Sequence, residues 1–322
     1  RTSRQPRSDG GALMRIAVVG SYGIGMTMRV PRLPVAGETL LGGEFVSGHG
    51  GKGSNQAVAA RRLGADVAFL TAVGDDVMGH AARELWRTEG VDASATVTAP
   101  ASTMVGLILV EPSGENRIAI ATGALEHLRP KHVEAFSPQL AEAEIVIVSL
   151  EIPLDTAIAA LRLAHEVGTV TVLNPAPAQR LPDPSWKDVD VLTPNRTEAA
   201  ILLGLDPEGP EGADTLAMRL HQRSGATVIL TRGAEGALIC DDRGLTGIAP
   251  VPSHAVVDTT GAGDAFTAAV AVELAAGRSV DDAARFASQV GSHVVARHEV
   301  IPALPRREDL GRADFDPGLR AG

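Results

Sequence analysis

The stretch DTTGAGDAF at residues 258–266 places two glycines immediately before an acid, Asp264. The alanine-rich, proline-free sequence that follows it and ends in a glycine predicts a helix. Because glycine permits close backbone approach, we expect the N–H groups of Gly261, Ala262 and Gly263 to face an anion at the N-terminus of this helix. An acid in a first helical turn also occurs without any ligand, so this stretch alone leaves both readings open.

The composition excludes several classes of partner. The chain has 322 residues, 44% of them hydrophobic and only 3% aromatic, which predicts a large aliphatic core. No apolar run reaches the roughly 20 residues that span a bilayer, and a net charge of −10 argues against nucleic acid. The single cysteine, Cys240, excludes a disulfide framework and is expected to be a buried structural thiol in a cytoplasmic protein.

Short apolar segments alternate with helix-length amphipathic segments along most of the chain. This alternation predicts a mostly parallel sheet covered by helices on both faces, which binds ligands beyond the carboxyl ends of its strands. The strands are predicted at 14–20, 66–74, 144–150, 169–174, 188–194 and 226–233, and helices at 54–64, 79–90, 155–168 and 214–225.

Two segments interrupt this alternation. Residues 27–48 contain prolines and short alternating pieces, and residues 103–121 read as a hairpin that turns at PSGEN. Together they predict a small β-sheet beside the main one, acting as a lid or an oligomer interface. The predicted organisation is a disordered extension over 1–13, one domain over 14–310 and a tail over 311–322.

Two glycine-rich stretches resemble nucleotide-binding motifs but do not match them. GSYGIG (20–25) lacks the last glycine of a dinucleotide fingerprint, and GHGGKGSN (48–55) lacks the first glycine and the hydroxyl residue of a P-loop. The second stretch still brings Lys52 and Asn55 to one helix start, with Ser54 expected as the N-cap. These side chains suit a polyhydroxylated ligand, although a plain glycine loop before a capped helix remains an alternative.

Two further segments lie at predicted strand ends. In TPNRTEAAILLG, Asn195 and Glu198 are three residues apart and therefore on one side of a helix start. That spacing suits water-mediated magnesium binding, and a capping arrangement explains it equally. The glycine turn TRGAEG (231–236) offers N–H groups to a phosphate or an adenine.

Taken together, the chain from Met14 to Pro305 resembles ribokinase and its relatives, the PfkB-type carbohydrate kinases. The resemblance implies a ribokinase-like three-layer αβα fold, with a mostly parallel sheet and a small β-sheet lid that is often a dimer interface. It also implies transfer of the ATP γ-phosphoryl group to a sugar hydroxymethyl. The motifs that carry it are GSYGIGM, AGETLLG, GGKGSNQAVAARRLGA, TAVGDDVMG, SLEIPL, NPAPA, TPNRTEA, TRGAEG and DTTGAGDAF.

The resemblance also assigns roles to residues. Asp264 matches the catalytic base, which we expect the helix dipole to keep ionised and therefore weak, and the three residues before it match an anion hole. The matches to sugar contacts are Gly51, Lys52, Asn55, Glu151 and Asp264, with Gly23 and Gly25 at two further sugar-facing positions. The matches to nucleotide contacts are Asn195, Thr231, Arg232, Gly233, Ala234, Glu235, Gly236, Gly263 and Ser288. Glu198 matches the acid that organises magnesium, and the matches to potassium ligands are Asp258, Thr260, Val294, Arg297 and Glu299.

This chain departs from the family pattern near both the sugar and the potassium ion. Gly23 and Gly25 stand where the family usually has an Asn and an Asp that bind neighbouring sugar hydroxyls, while Glu299 replaces a glycine and Ala303 a serine. We therefore expect kinase chemistry with an altered acceptor preference and weaker potassium activation. A nucleoside kinase on the same scaffold and a non-catalytic sugar- or nucleotide-binding regulator are the alternatives.

Overall fold

The computed structural model describes residues 14–113, 115–253 and 255–310. The predicted extension over 1–13 and the tail over 311–322 lie outside these residues. The strands are β1 (Arg15–Val19), β2 (Gly23–Arg29), β3 (Phe45–Gly50), β4 (Asp66–Leu70), β5 (Ala72–Gly74), β6 (Val97–Ala99), β7 (Met104–Val110), β8 (Asn116–Ala121), β9 (Ile145–Ser149), β10 (Val170–Asn174), β11 (Val191–Leu192), β12 (Thr227–Thr231), β13 (Ala237–Asp241) and β14 (Gly244–Ile248).

The helices alternate with the strands of the main sheet, as the sequence pattern predicts. They are α1 (Lys52–Arg62), α2 (Val77–Glu89), α3 (Pro130–Ala135), α4 (Ser137–Glu142), α5 (Leu154–Glu166), α6 (Arg196–Leu203), α7 (Ala213–Ser224), α8 (Ala262–Ala275) and α9 (Val280–Val295). Within the described residues, none of these helices is both long and apolar enough to cross a membrane.

The main sheet has eight strands in the order β14-β13-β12-β11-β10-β9-β1-β4. The strands from β12 to β4 are all parallel, and β13 and β14 add an antiparallel edge. The predicted three-layer fold is confirmed. The segment predicted as a strand at 188–194 pairs only over Val191–Leu192, and the segment 66–74 divides between β4 and β5.

The strands of the main sheet are buried on both faces, which explains their continuous apolar sequences. In β1, Ile16 and Val18 join a core that includes α1, α8 and α9. The alternate residues Ala17 and Val19 join a second core on the opposite face, with α5 and α7. This two-sided packing fixes the carboxyl ends of the parallel strands along one edge, where ligands bind in such sheets.

A second sheet, here called the lid sheet, has the strand order β3-β2-β7-β8. Strands β7 and β8 form the antiparallel hairpin that the sequence predicts over 103–121, and β2 pairs with β7 in parallel. In the row across its middle, Gly25 lies opposite Gly48 on one side and Gly106 on the other. None of these three positions has a side chain of its own.

Candidate active site

The first turn of α8 is built as the sequence predicts, with glycine at the strained position. Gly261 is the N-cap, has a left-handed φ of 78°, and a Cβ added there would lie 2.4 Å from the Val300 side chain. Only glycine therefore fits. The N–H of Ala262 donates to the Thr259 carbonyl at 3.3 Å, so it is committed to a turn bond. A Cβ on Gly263 would meet nothing within 4 Å, which leaves space in front of this helix start.

Asp264 lies in the first turn of α8 and is only 6% exposed. Asn55 Nδ2 donates to its Oδ2 at 2.8 Å and Gln56 Nε2 to its Oδ1 at 3.3 Å. Burial raises the pKa of Asp264, while Lys52 and the two amide donors oppose that rise. The expectation of an ionised and therefore weak base does not fit this environment, because burial raises the pKa of Asp264 by more than Lys52 and the amide donors lower it.

Helix α1 begins at Lys52, two residues earlier than predicted. Its N-cap is Gly51, with φ 89°, and a Cβ there would lie 2.5 Å from the Cα of Tyr22. The expectation that Ser54 is the N-cap is wrong. Its side chain is buried and accepts a hydrogen bond from Trp86 Nε1 at 2.9 Å instead. The early start brings the Lys52 backbone and side chain into the site together.

Lys52 and Glu151 meet at the ends of α1 and β9. The Lys52 N–H donates to Glu151 Oε2 at 3.1 Å, and the Ser21 hydroxyl donates to the same oxygen. Burial lowers the pKa of the Lys52 ammonium, but the negative charges of Asp264, Glu151 and Glu198 together raise it above its ordinary value. The ammonium therefore stays charged, as the cation shared by three acids from different segments.

Two residues of this network escaped the sequence reasoning. Gln56, which is fully buried, also donates to Asn174 Oδ1 at 3.0 Å, and Asn174 Nδ2 donates to the Thr193 carbonyl at 3.3 Å. Asn174 is the last residue of β10, which places it at the ligand edge of the sheet. The available signal was a second amide directly after Asn55, at the start of the alanine-rich part of α1, which a plain amphipathic helix does not require.

Asn195 and Glu198 form a capping box at the start of α6. Asn195 Oδ1 accepts from the Glu198 N–H at 2.8 Å, and Glu198 Oε2 accepts from the Asn195 N–H at 2.9 Å. Burial raises the pKa of Glu198, which Lys52 opposes and Asp264 reinforces. The capping alternative is therefore present in the structure, and the same carboxyl group also lies in the electrostatic field of the site.

The residues predicted to contact nucleotide come from three segments. Asn195 forms a β-bridge with Thr231 at the end of β12, so the capping box and the 231–236 turn are neighbours. Arg232 lies in that turn, donates to the Glu235 carbonyl at 3.1 Å and has a buried Nε without a partner among the described residues. Ser288 lies on α9, where its hydroxyl donates to the Ala284 carbonyl at 2.9 Å within the same helix.

The residues predicted to hold potassium lie on two segments that contact one another. The Val257 N–H donates to the Val295 carbonyl at 2.7 Å, and the Thr260 N–H donates to Asp258 Oδ1 at 2.9 Å. Glu299 has a left-handed φ of 63°, rare for a residue with a side chain. Its carboxylate reaches the lid sheet, where a Cβ on Gly48 would lie 3.6 Å from Glu299 Oε2.

The two glycines of β2 that the family resemblance places near the sugar have different surroundings. A Cβ on Gly23 would lie 2.5 Å from Met104 Cε and 2.9 Å from the Met104 carbonyl oxygen, so Met104 already occupies that space. At Gly25 the nearest atoms, the Gly48 carbonyl oxygen and Ile108 Cδ1, are both 4.0 Å away. A side chain is therefore excluded at the first position and accommodated at the second.

A preformed metal cluster is not part of this site. Across residues 14–113, 115–253 and 255–310, no group of three or more His, Cys, Asp or Glu side chains is placed to hold an ion. Cys240 is buried in β13, as predicted, and burial raises the pKa of its thiol. The oxygen donors near Asp258 and Glu198 are therefore the remaining candidates for cations.

Comparison with known proteins gives consistent matches over most of the chain. A family model described as pfkB family carbohydrate kinase matches residues 14–307. The chain is 35% identical over 295 residues to a ribokinase of Haemophilus influenzae, which covers 91% of this chain and 96% of that protein. It is 34% identical over 258 residues to a deoxyribokinase of Salmonella typhi, covering 79% and 83% of the two chains. The structure of Arabidopsis thaliana ribokinase complexed with ribose and ATP superposes with a TM-score of 0.86 at 27% identity, covering 93% of this chain and 98% of that one.

Proposed function

The chain belongs to the pfkB family of carbohydrate kinases, and we propose that it transfers the γ-phosphoryl group of ATP to a hydroxymethyl of ribose or a related sugar. One observation carries the proposal: the buried Asp264 carboxylate lies at the open N-terminus of α8, held by amide donors and beside Lys52. A base, an anion-binding helix start and a cation therefore meet in one water-poor site.

Phosphoryl transfer depends mainly on positioning and charge stabilisation, because the transferred group is loose and negative. Asp264 accepts the proton of the attacking hydroxyl, and its raised pKa improves it as a base near neutral pH. The backbone N–H groups at the α8 start and the Lys52 ammonium offset the negative charge of the phosphoryl group. Asn55 and Glu151 orient the sugar, and the Asn195 and 231–236 segments receive the nucleotide.

Two cations fit the oxygen donors of the site. The raised pKa of Glu198, which burial causes, marks a carboxyl group that a nearby cation would stabilise in its charged form. Magnesium held there through water would supply charge neutralisation for the ATP phosphates. We expect Asp258 and Thr260 to hold potassium, joined by backbone near Val294, Arg297 and Glu299. We expect potassium to stimulate the reaction relative to sodium and choline salts, and equal rates in all three would contradict this site.

We expect the preferred sugar to differ from that of relatives with an Asn and an Asp at positions 23 and 25. Those two side chains would bind neighbouring sugar hydroxyls. Gly23 and Gly25 offer no side-chain hydrogen bonds, and Met104 presents an apolar thioether beside Gly23. Free D-ribose is therefore expected to be phosphorylated without being the best substrate, and the similarity to a deoxyribokinase makes 2-deoxyribose a matched comparison. The glycine row of the lid sheet also leaves room for a nucleoside, while an intact base argues against a regulator that only binds.

The experiment is an ATP-dependent phosphorylation assay over pentoses, 2-deoxyribose, ketohexoses and nucleosides, with kcat/KM compared across the panel. Phosphorylation of at least one free sugar supports the proposed function. Activity on nucleosides alone selects the alternative kinase, and binding of sugar and ATP without turnover selects the regulator. D-Ribose with the highest kcat/KM and a micromolar KM would contradict the expected acceptor preference.

The partners and location follow from the exposed surface and the composition. The lid sheet exposes Phe45, Leu107, Ile118 and Ile120, each more than half accessible, and we propose that it forms a homodimer interface. Light scattering measures this directly, and a monomer at micromolar concentration would contradict it.

The single buried cysteine and the acidic net charge support a cytoplasmic protein without a membrane or nucleic-acid partner.

A further inference from the structure

Gln56 bridges two polar side chains at the point where α1 passes from buried polar residues to a buried apolar run. It is fully buried, and its Nε2 lies 3.0 Å from Asn174 Oδ1 and 3.3 Å from Asp264 Oδ1. Ala57, Val58, Ala59 and Ala60 follow it and are all buried in the core. A buried amide among such residues costs free energy unless its hydrogen bonds are made. Gln56 therefore requires an explanation that packing does not give.

The direction of each amide in this chain is fixed by its neighbours. The Thr193 backbone carbonyl only accepts, so Asn174 must turn its NH2 group towards it and its Oδ1 towards Gln56. Gln56 must then present its NH2 group to Asn174 and to Asp264. If this amide were reversed, its oxygen would face two other acceptors. A backbone carbonyl of the main sheet therefore determines that Asp264 receives a donor.

The opposite end of the Gln56 amide supports the same conclusion. Its Oε1 is buried and has no partner among the described residues. Leaving a buried acceptor unpaired is unfavourable, so the side chain is not placed here to satisfy its own hydrogen bonds. What Gln56 does provide is an NH2 group that donates to both Asn174 Oδ1 and Asp264 Oδ1.

We propose that Gln56 is a positioning residue for phosphoryl transfer, whose amide, oriented by Asn174, holds the Asp264 carboxylate in the plane that faces the acceptor hydroxyl. This inference rests on the proposed kinase function. Asn55 binds Oδ2 of the same carboxylate at 2.8 Å, so both oxygens are held by donors that come from adjacent residues of one helix. The lone pairs that remain on these two oxygens are the ones available to the acceptor hydroxyl of the proposed reaction.

Two consequences follow for the kinetics. Without the Gln56 donor the carboxylate can rotate about its bond to the chain, which lowers the fraction of reactive geometries and therefore kcat. The Gln56 and Asn55 hydrogen bonds and the Lys52 charge also lower the pKa of Asp264 against the effect of burial, while Glu151 raises it. Glu198 is a further charged group at the site, coupled to both Asp264 and Lys52. Loss of one donor must therefore raise the pKa of the base.

The test is Gln56→Met, which keeps the length of the side chain and removes its N–H groups. We expect kcat to fall about 10- to 100-fold, since a hydrogen bond to a charged group is lost, with the KM values for sugar and ATP within about twofold of the wild-type values. The acidic limb of the kcat profile should move to higher pH, because a base with a raised pKa becomes protonated at higher pH. A packing defect alone would not move that limb.

Gln179→Met is the matched control. It makes the same substitution at a half-buried glutamine whose Nε2 donates to the Leu150 carbonyl at 3.3 Å and has no contact with Asp264. Its kcat and pH profile should equal those of the wild type. A comparable loss of kcat in both variants would assign the effect to general destabilisation and overturn the proposal.

Asn174→Leu tests the orienting step and remains informative if Gln56→Met does not fold. It leaves Gln56 in place without the acceptor that fixes its direction, so kcat should fall less than in Gln56→Met. In the double variant the second substitution should add little, because both act through one amide. Additive losses, or wild-type kcat and acidic limb in both single variants, would overturn the proposal. A wild-type protein that phosphorylates no acceptor would instead overturn the proposed function.

Discussion

The two surfaces that flank the proposed substrate site are constructed in opposite ways. On the core side, the first turns of α1 and α8 carry buried polar side chains that bond one another, with Asn55 and Gln56 both held on Asp264. On the lid side, the row Gly25, Gly48 and Gly106 has no side chains at all. On the core side, polar side chains are held in place by hydrogen bonds to one another. On the lid side, the three glycines present only backbone.

This difference suggests a division of tasks, with the core side responsible for phosphoryl transfer and the lid side for the choice of acceptor. The core-side residues sit on helices packed against the main sheet, so their geometry is fixed before any ligand binds. The glycine row of the lid sheet offers no side-chain hydrogen bonds, so under the proposed function we expect the identity of the acceptor to depend on few atoms there. Substitutions on the core side should therefore change turnover, while substitutions on the lid side should change the preference among sugars.

The largest effect is expected from Asp264→Asn. It removes the base while the backbone N–H groups at the start of α8 remain, so kcat should fall by about 10³-fold or more while ATP affinity is nearly unchanged. Asp242→Asn, on a fully exposed carboxylate, is the control and should have no effect. Single-turnover kinetics and ATP binding by calorimetry measure the two quantities. A loss confined to KM would place the base elsewhere.

The sequence predicted the core side far better than the lid side. Glycines, an acid and an alanine-rich helix at 258–277 specify one local structure, and α8 with its Gly261 cap is that structure. The contact between Gln56 and Asn174 joins residues 118 positions apart, and no local pattern shows which strand end will meet α1. The raised pKa of Asp264 likewise depends on burial by the assembled fold.

The lid side shows a second limit of the sequence. Its hairpin was predictable from alternation and a turn, and β7 and β8 confirm it. The reason for Gly23 was not predictable, because Met104 reaches that position from a strand 81 residues away in the chain. Cross-strand register decides which side chain fills a gap, and register is established only when the sheet forms.

We expect a smaller effect from Lys52→Ala, at a residue that lies where the core side and the lid side meet. The affected quantity is the KM for the sugar. The ammonium is stabilised by Asp264, Glu151 and Glu198, so its removal takes a charged donor from the sugar pocket. Loss of such a bond costs about 1.5–3 kcal/mol, and we expect the sugar KM to rise roughly 10- to 100-fold. Lys131→Ala, an exposed residue of α3, is the matched control. An unchanged sugar KM would remove Lys52 from the pocket.

The smallest effect, and the sharpest test of the comparison, is a carboxylate added to the lid side. In Gly25→Asp the new Cβ has no atom closer than 4.0 Å, so the side chain enters without strain. It restores one charged acceptor for sugar hydroxyls, and we expect kcat/KM for D-ribose to improve about tenfold, near the lower end of what such a bond contributes. Thermal unfolding should show wild-type stability.

Gly23→Asn provides the opposite case on the same strand. Its Cβ would lie 2.5 Å from Met104 Cε and 2.9 Å from a backbone oxygen, so it should destabilise the lid sheet without improving ribose. Gly247→Asp on β14, with open space around its Cβ, controls for the added charge away from the site. The measurement is kcat/KM for ribose and 2-deoxyribose in all three variants. If Gly25→Asp weakens ribose phosphorylation, the lid sheet does not select the acceptor by missing hydrogen bonds, and the division between a chemical surface and a selective one fails.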